Sequence, residues 1–197
     1  MRREQDVFAL RASVLEGRNN LVPDPLVPDQ PPQRYRLWQL QGQASLAVAG
    51  TGREPGHEGA APGTLVLRAL LQRSPDLLVP MERLAVGGRH TVRGYRENQL
   101  VRDNGWAVGL EWHWPLWRDA LRRASVTLVP LVDGGAAWNR DEAKSRLASA
   151  GIGLLWTVAE FDGEVFFAKR LAQRDNPTHG DLQDRGIHLL LRWRPAP

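Results

Sequence analysis

The sequence of 197 residues contains no cysteine. This absence excludes a disulfide framework, a thiolate metal site and a cysteine nucleophile. The five histidines are scattered without the spacing of metal ligands: His57, His90, His113, His179 and His188. We find no Ser/His/Asp arrangement, no paired carboxylates and no phosphate-cradling loop. From the sequence we therefore expect neither a metal site nor a site for another cofactor, and we do not expect the protein to be an enzyme.

Long apolar runs and blocks of one charge are also missing. No run approaches the about 18 apolar residues of a membrane-spanning helix. The basic N-terminus reaches no apolar core of adequate length before Arg11, so we expect no signal peptide in this chain. The 26 Lys and Arg are interleaved with 22 Asp and Glu, which leaves a net charge of +4 without a basic patch. This charge pattern does not favour a nucleic-acid partner.

Aromatic residues are few but unusual in kind, with eight Trp against four Phe and two Tyr. Trp favours surfaces that are apolar at one end and wet at the other, such as the interface of a membrane. Several of these residues fall near the ends of predicted strands, where the aromatic girdle of a barrel would lie: Trp106, Trp114, Trp138 and Trp193.

Apolar and polar residues alternate along much of the chain, which is the period of a strand. From Trp106 to Trp114, apolar side chains share one face, while Glu111 and His113 share the other. This alternation predicts eight strands: Val7–Leu15, Tyr35–Ala49, Thr64–Arg73, Trp106–Trp114, Ser125–Trp138, Leu147–Glu160, Glu164–Leu171 and Ile187–Arg194. The fold class is therefore all-β and antiparallel.

Two architectures fit such strands. A soluble sandwich buries the apolar face, whereas a transmembrane barrel turns it to lipid and its polar face to a wet lumen. The predicted strands are about 9 to 14 residues long, which suits a tilted crossing of the bilayer better than a soluble sheet.

The connections between the strands alternate in length, as in an outer-membrane barrel. Segments 16–34, 74–105, 139–146 and 172–185 are mostly long, whereas 115–124 is shorter and Phe161–Gly163 is a predicted hairpin turn. Segment 50–63 breaks the rule, because it is long on the side of the short turns.

Two segments hold the distinctive residues. The loop 74–105 contains Gly87 and Gly88, followed by the tetrad Val92, Arg93, Gly94 and Tyr95. Further on, Asp133 lies on the polar face of its strand, within Leu131–Gly135. A carboxylate enclosed in a barrel needs a partner, because an unpaired buried charge is costly.

These residues resemble the motifs of the BamA-related outer-membrane superfamily. Val92–Tyr95 is similar to the VRGY/F tetrad of its sixth extracellular loop. The segment with Asp133 and Gly135 is similar to its aromatic-x-Asp-x-Gly strand motif, although Leu131 takes the aromatic position. Details around Met81–Leu84 and Arg102–Gly105 resemble most closely the two-partner-secretion translocators, the haemolysin secretion/activation proteins.

The resemblance implies an outer-membrane protein that translocates a secreted exoprotein. It implies that Arg93 pairs with Asp133 in the lumen, where Glu111 and His113 either extend the polar network or are ordinary lumen residues. Family barrels have sixteen strands, preceded by periplasmic POTRA domains and a signal peptide. We therefore expect residues 1–197 to form the C-terminal half of such a barrel.

The implied partners are the exoprotein, outer-membrane lipid and the missing barrel half or POTRA domains. Two alternatives stay open. One is a BamA- or TamA-like factor that assembles other barrels, and the other is a truncated gene product without transport activity.

Overall fold

A computed structural model describes residues 6–20, 30–53, 60–119, 121, 123–172, 182 and 185–195. The described elements are ten strands and one 3-10 turn: β1 (Val7–Arg18), β2 (Arg34–Arg53), β3 (Ala60–Arg73), the 3-10 turn Pro80–Glu82, β4 (Leu84–Val86), β5 (Leu100–Arg102), β6 (Asn104–Asp119), β7 (Ala124–Trp138), β8 (Ser145–Val158), β9 (Phe161–Arg170) and β10 (Ile187–Trp193). Within these ranges, no helix has the length and hydropathy required to cross a bilayer.

Eight of the strands form one antiparallel sheet in the order β1-β2-β3-β6-β7-β8-β9-β10. Each strand thus pairs with the next long strand along the chain, as a meander. The prediction of eight antiparallel strands is confirmed. The sandwich alternative is wrong, because the only other sheet among the described residues is the two-stranded β4-β5. Within the same residues, β1 and β10 each pair on one side only, so the sheet is open.

The two faces of the sheet differ as the alternation predicts. On β7, Val129, Leu131 and Asp133 are buried on what we call the inner face, whereas Val132 on the outer face is half exposed. Outer apolar side chains are far more exposed than a soluble core allows, with Phe8 at 72% and Leu10 at 75%. An apolar outer face and a partly polar inner face are typical of a barrel wall in lipid.

Most of the tryptophans lie near the two ends of the strands, but Trp112 and Trp114 lie within β6, so Trp114 is not at a strand end as predicted. Trp38, Trp106 and Trp138 lie toward the end with the long connections, and Trp117 and Trp193 lie toward the opposite end. On the outer face Trp138 stacks with two cations, Arg73 at 5.3 Å and Lys144 at 4.7 Å from the ring centroid. Both ends of the wall therefore have the amphipathic rings of a membrane interface.

Three local predictions need correction. The predicted strand Trp106–Trp114 is too short, since β6 continues through Pro115 to Asp119. The hairpin between β8 and β9 turns at Ala159 and Glu160, and Phe161–Gly163 belongs to β9. Ala159 takes a positive φ of 52°, a turn conformation that its residue type does not signal. The segment 50–63 is largely strand, since β2 continues to Arg53 and β3 begins at Ala60. More than half of the segment that was predicted as one long connection therefore belongs to the two strands.

The segment 74–103 between β3 and β6, here called the lumen loop, folds back over the inner face. Its short strands β4 and β5 pair with each other. Apolar side chains of the loop form a buried cluster with side chains of β6, β7 and β8: Leu84, Val86, Val92, Tyr95, Leu100, Ala107, Ala137 and Leu147. The core of the molecule thus lies between the sheet and its own loop.

Candidate functional site

The lumen loop makes its sharpest turn at two glycines. Gly87 and Gly88 have φ values of +116° and +96°, which side chains other than glycine rarely adopt. The Thr91 hydroxyl closes the turn, since it accepts a hydrogen bond from the Gly87 N–H (2.8 Å) and donates to the Gly87 carbonyl (3.0 Å). This turn directs the four residues after Thr91 toward the sheet.

Arg93 meets Asp133 of β7 through three hydrogen bonds. Its Nε donates to Asp133 Oδ2 (2.8 Å) and its Nη2 donates to Oδ1 (2.8 Å). The backbone N–H of Arg93 also donates to Oδ2 (3.0 Å). Both side chains are almost completely buried. A bidentate guanidinium–carboxylate pair of this kind fixes orientation as well as distance.

Glu111 of β6 joins the pair to a larger network. Arg93 Nη1 donates to Glu111 Oε1 (2.6 Å), and Arg68 of β3 forms an ion pair with the same oxygen. His113 Nε2 lies 2.7 Å from Glu111 Oε2. The structure therefore places both predicted network residues, Glu111 and His113, next to the Arg93–Asp133 pair, and it adds Arg68.

The charges in this network are balanced, which a buried site requires. Burial by itself would lower the pKa of Arg93, but its hydrogen bonds and charge interactions with Asp133 and Glu111 raise the pKa above its ordinary value. The guanidinium also lies 5.0 Å from the ring centroid of Phe166, a cation–π contact. Contacts with Asp133, Glu111 and Phe166 thus stabilise the charged form of Arg93.

Glycines in the wall leave space for the loop. A Cβ at Gly109 would lie 2.7 Å from Asp133 Oδ1. At Gly135, the second residue of the predicted strand motif, a Cβ would lie 2.8 Å from Val86 Cγ1 and 3.0 Å from Val92 Cγ2. These positions therefore need glycine for close approach rather than for an unusual backbone conformation.

The base of the lumen loop has a second polar anchor, which the sequence did not reveal as a site. Asp103 Oδ1 accepts from the Leu78 N–H (3.1 Å) and lies 3.2 Å from Arg83 Nε. Gln72 of β3 donates to the carbonyls of Glu82 (2.8 Å) and Asp103 (3.2 Å). Glu82, Arg83 and Asp103 lie in the segments on which the family resemblance rests, and that resemblance was their only signal.

Other contacts of the tetrad also escaped prediction. Arg68, Phe166 and Arg170 touch the network or the loop from strands that are distant in sequence. Alternation places them on the inner face, but nothing in the sequence pairs them with the loop. No cluster of His, Asp and Glu in the described part of the chain is arranged to hold a metal ion.

Comparisons with known proteins concern the family and the fold of the chain. Residues 7–156 match the family described as haemolysin secretion/activation protein ShlB/FhaC/HecB. The fold is similar to CdiB from Escherichia coli, with a TM-score of 0.74 and 21% identity over 96% of this chain and 33% of that one. It is also similar to CdiB from Acinetobacter baumannii, with a TM-score of 0.55 and 22% identity over 80% of this chain and 26% of that one.

The search of curated proteins gave no significant match. The present chain spans about a third of the length of the E. coli CdiB structure. The family match covers most of the chain, and the open antiparallel sheet agrees with a partial barrel. The chain therefore belongs to the haemolysin secretion/activation protein family ShlB/FhaC/HecB, the outer-membrane β-barrel transporters of two-partner secretion.

Proposed function

We propose that this chain forms the C-terminal half of an outer-membrane pore that exports a secreted exoprotein in extended form. The sheet has unpaired edges at β1 and β10 among its described residues, and open edges are not tolerated in lipid. Further strands of the same barrel would therefore pair with these edges. Family membership supports the transport role and disfavours the alternative of a barrel-assembly factor.

Within that pore, the Arg93–Asp133 pair acts as a latch that holds the lumen loop against the wall. The observation that carries this proposal is the burial of the bidentate pair between loop and sheet. While the latch is closed, the loop occupies part of the lumen. Passage of an extended polypeptide would require the loop to shift, and Glu111 limits that shift by holding Arg93 from a second side.

The latch is tested by Arg93→Ala and Asp133→Ala in the full-length transporter in the outer membrane. We expect both variants to show a higher pore conductance in planar bilayers and reduced export of the exoprotein, because the loop is no longer seated. Arg140→Ala is a matched control, since Arg140 is an exposed arginine in the connection between β7 and β8.

Folding is monitored separately by the mobility shift of the barrel on heating in detergent. A variant that fails this check is replaced by Arg93→Lys, which keeps the charge but cannot form the bidentate fork. Folded variants with unaltered conductance and export would contradict the latch. Lost export together with failed insertion of unrelated barrels would instead favour an assembly factor.

A further inference from the structure

The lumen loop has a second line of contacts, which lies on β9 rather than on β7. All four inner-face residues along one stretch of β9 touch the loop or its tetrad: Glu164, Phe166, Ala168 and Arg170. Successive inner-face positions of a strand are about 7 Å apart, so this row extends for about 20 Å along the loop. A single accidental contact would not produce such a row.

At the C-terminal end of this row, Arg170 binds Gly94 and Tyr95 of the tetrad. Its Nε donates to the Gly94 carbonyl (2.5 Å), and its guanidinium lies 5.3 Å from the ring centroid of Tyr95. The Tyr95 hydroxyl in turn donates to the Ala148 carbonyl (2.9 Å) at the start of β8. Arg170 therefore holds both the backbone and the aromatic ring of the tetrad.

The backbone of the tetrad passes unusually close to β9. Gly94 has a φ of +90°, and a Cβ there would lie 2.8 Å from the Ala168 carbonyl oxygen. Gly186, which precedes β10, accepts a hydrogen bond from the Ala168 N–H (2.9 Å). A Cβ at Gly186 would lie 3.5 Å from Gly94 Cα. The loop is thus seated against the backbone of the β9-β10 hairpin itself.

At the N-terminal end of the row, Glu164 forms an ion pair with Arg89, which lies in the turn that begins at Gly87. Phe166 lies between the two ends and stacks on Arg93. Its ring occupies the space over Gly153 of β8, where a Cβ would clash with Phe166 Cε1. The loop therefore has two cation–carboxylate contacts with the wall, Arg93–Asp133 on β7 and Arg89–Glu164 on β9.

The contacts also reach the strand at the edge of the sheet. Phe166 is paired in register with His188 of β10, whose Nε2 accepts a long hydrogen bond (3.5 Å) from the Gly94 N–H. In the described chain β10 pairs with β9 alone. The lumen loop thus braces the last hairpin from inside, where the sheet would join the rest of the barrel.

We infer that β9 is a second docking strand of the lumen loop, that Glu164 and Arg170 are its positioning residues, and that loop release loosens the β9-β10 hairpin. This inference rests on the proposed function only for its consequence in transport. The seating itself is a property of the chain. The seating connects the latch to the edge of the sheet, because Phe166, which stacks on Arg93, pairs in register with His188 of the edge strand β10.

The test uses a single thiol beneath the loop, because these 197 residues contain no cysteine and any cysteine elsewhere in the full-length transporter is replaced by serine. Ser149 is 1% exposed and lies in register between Asp133 and Arg170. In a Ser149→Cys background of the full-length transporter, a water-soluble maleimide should label slowly while the loop is seated. His90→Cys, at an exposed position of the loop, reports the labelling rate of an open site.

We expect Glu164→Gln and Arg170→Met each to raise the labelling rate at position 149 several-fold, and the double variant at least ten-fold. Arg170→Met keeps the bulk beside the thiol while it removes the hydrogen-bond donors. Lys169→Ala is the matched control, because Lys169 is an exposed cation on the outer face of the same strand. Deuterium uptake at residues 187–193 should rise in the double variant and stay unchanged in the control.

The outcomes separate this inference from the latch. If both β9 variants label as slowly as the parent, the docking strand is refuted, whatever Arg93→Ala does. If they label rapidly while Arg93→Ala does not, the docking strand holds and the latch fails. Faster labelling without a change in uptake at residues 187–193 would overturn the coupling to the hairpin. A variant that fails to fold is replaced by Glu164→Asp or Arg170→Lys.

Discussion

The inner face of the sheet is built in two different ways. Over β6 to β8 it lies beneath the lumen loop, and small residues such as Ala107, Gly109 and Ser149 leave space for the loop there. On β2 the same face has a row of amides, of which Gln41 and Gln43 are exposed. Both regions have the alternation of a strand. The covered region combines small residues with apolar side chains that pack against the loop, whereas the inner face of β2 presents long amides.

The charges follow the same division. In the covered region, Arg93, Asp133 and Glu111 are buried and bind one another. In the uncovered region, Arg11 of β1 is exposed on the inner face beside Gln41. Water can solvate a charge in the second region but not in the first. Substitutions of similar size should therefore have very different effects in the two regions.

Asp133→Ala should show the largest difference. It leaves Arg93 buried without its main partner, and the loss of one member of a buried pair typically costs about 3–5 kcal/mol in the free energy of unfolding. Gln41→Ala, on the uncovered wall, should change stability by less than about 0.5 kcal/mol. Urea unfolding of the full-length barrel in lipid vesicles measures both. Equal effects would show that the two regions do not differ as described.

This comparison also shows what sequence reasoning can reach. The alternation in β2, β6, β7 and β10 assigned Asp133 and Glu111 to the inner face correctly, because a strand has a strict period of two. The partners of the loop could not be found in this way. Arg93 and Asp133 are 40 residues apart, and Arg170 and Gly94 are 76 apart. Only the folded register brings such residues together, and the motif resemblance supplied the first pair alone.

The errors of prediction have local causes. β4 and β5 have three residues each, too few for a period to appear. The β8-β9 turn uses Ala159 in a conformation that glycine or asparagine usually signals. In β6 the register shifts between Pro115 and Trp117, where the alternation with β7 breaks. Each error lies where the backbone departs from a regular strand.

Gly94→Ala should have the next largest effect. The new Cβ would meet the Ala168 carbonyl at 2.8 Å, and the φ of +90° is strained for any other residue, at about 1–3 kcal/mol. Gly42→Ala on β2 is the control, because its Cβ would lie 3.6 Å from Leu10 Cδ1, an ordinary contact. The same unfolding measurement applies. A neutral Gly94→Ala would mean that the tetrad is not seated against β9.

Glu111→Gln should have a smaller effect, about 0.5–1.5 kcal/mol, the usual net contribution of a hydrogen bond, because the amide keeps its size and can still accept. Arg93 keeps all three of its hydrogen bonds to Asp133, whereas Arg68 and His113 lose their anionic partner. We therefore expect the loop to stay seated, with slow labelling at position 149 in the Ser149→Cys background. Rapid labelling would show that Glu111, and not Asp133, is the principal partner of Arg93.

Ser149→Ala should have the smallest effect, and with the opposite sign. Within the described residues the Ser149 hydroxyl is buried and has no hydrogen-bond partner. Burying an unsatisfied hydroxyl is unfavourable, so its removal should leave stability unchanged or raise it by up to about 1 kcal/mol. The loop needs only space at this position, since Asp133 and Arg170 on either side supply the polar contacts. A loss of more than about 1 kcal/mol on unfolding in urea would instead indicate a bound water beneath the loop. The covered wall would then be polar, like the glutamine row of β2. The two regions would differ in how well their water is ordered rather than in the size of their side chains.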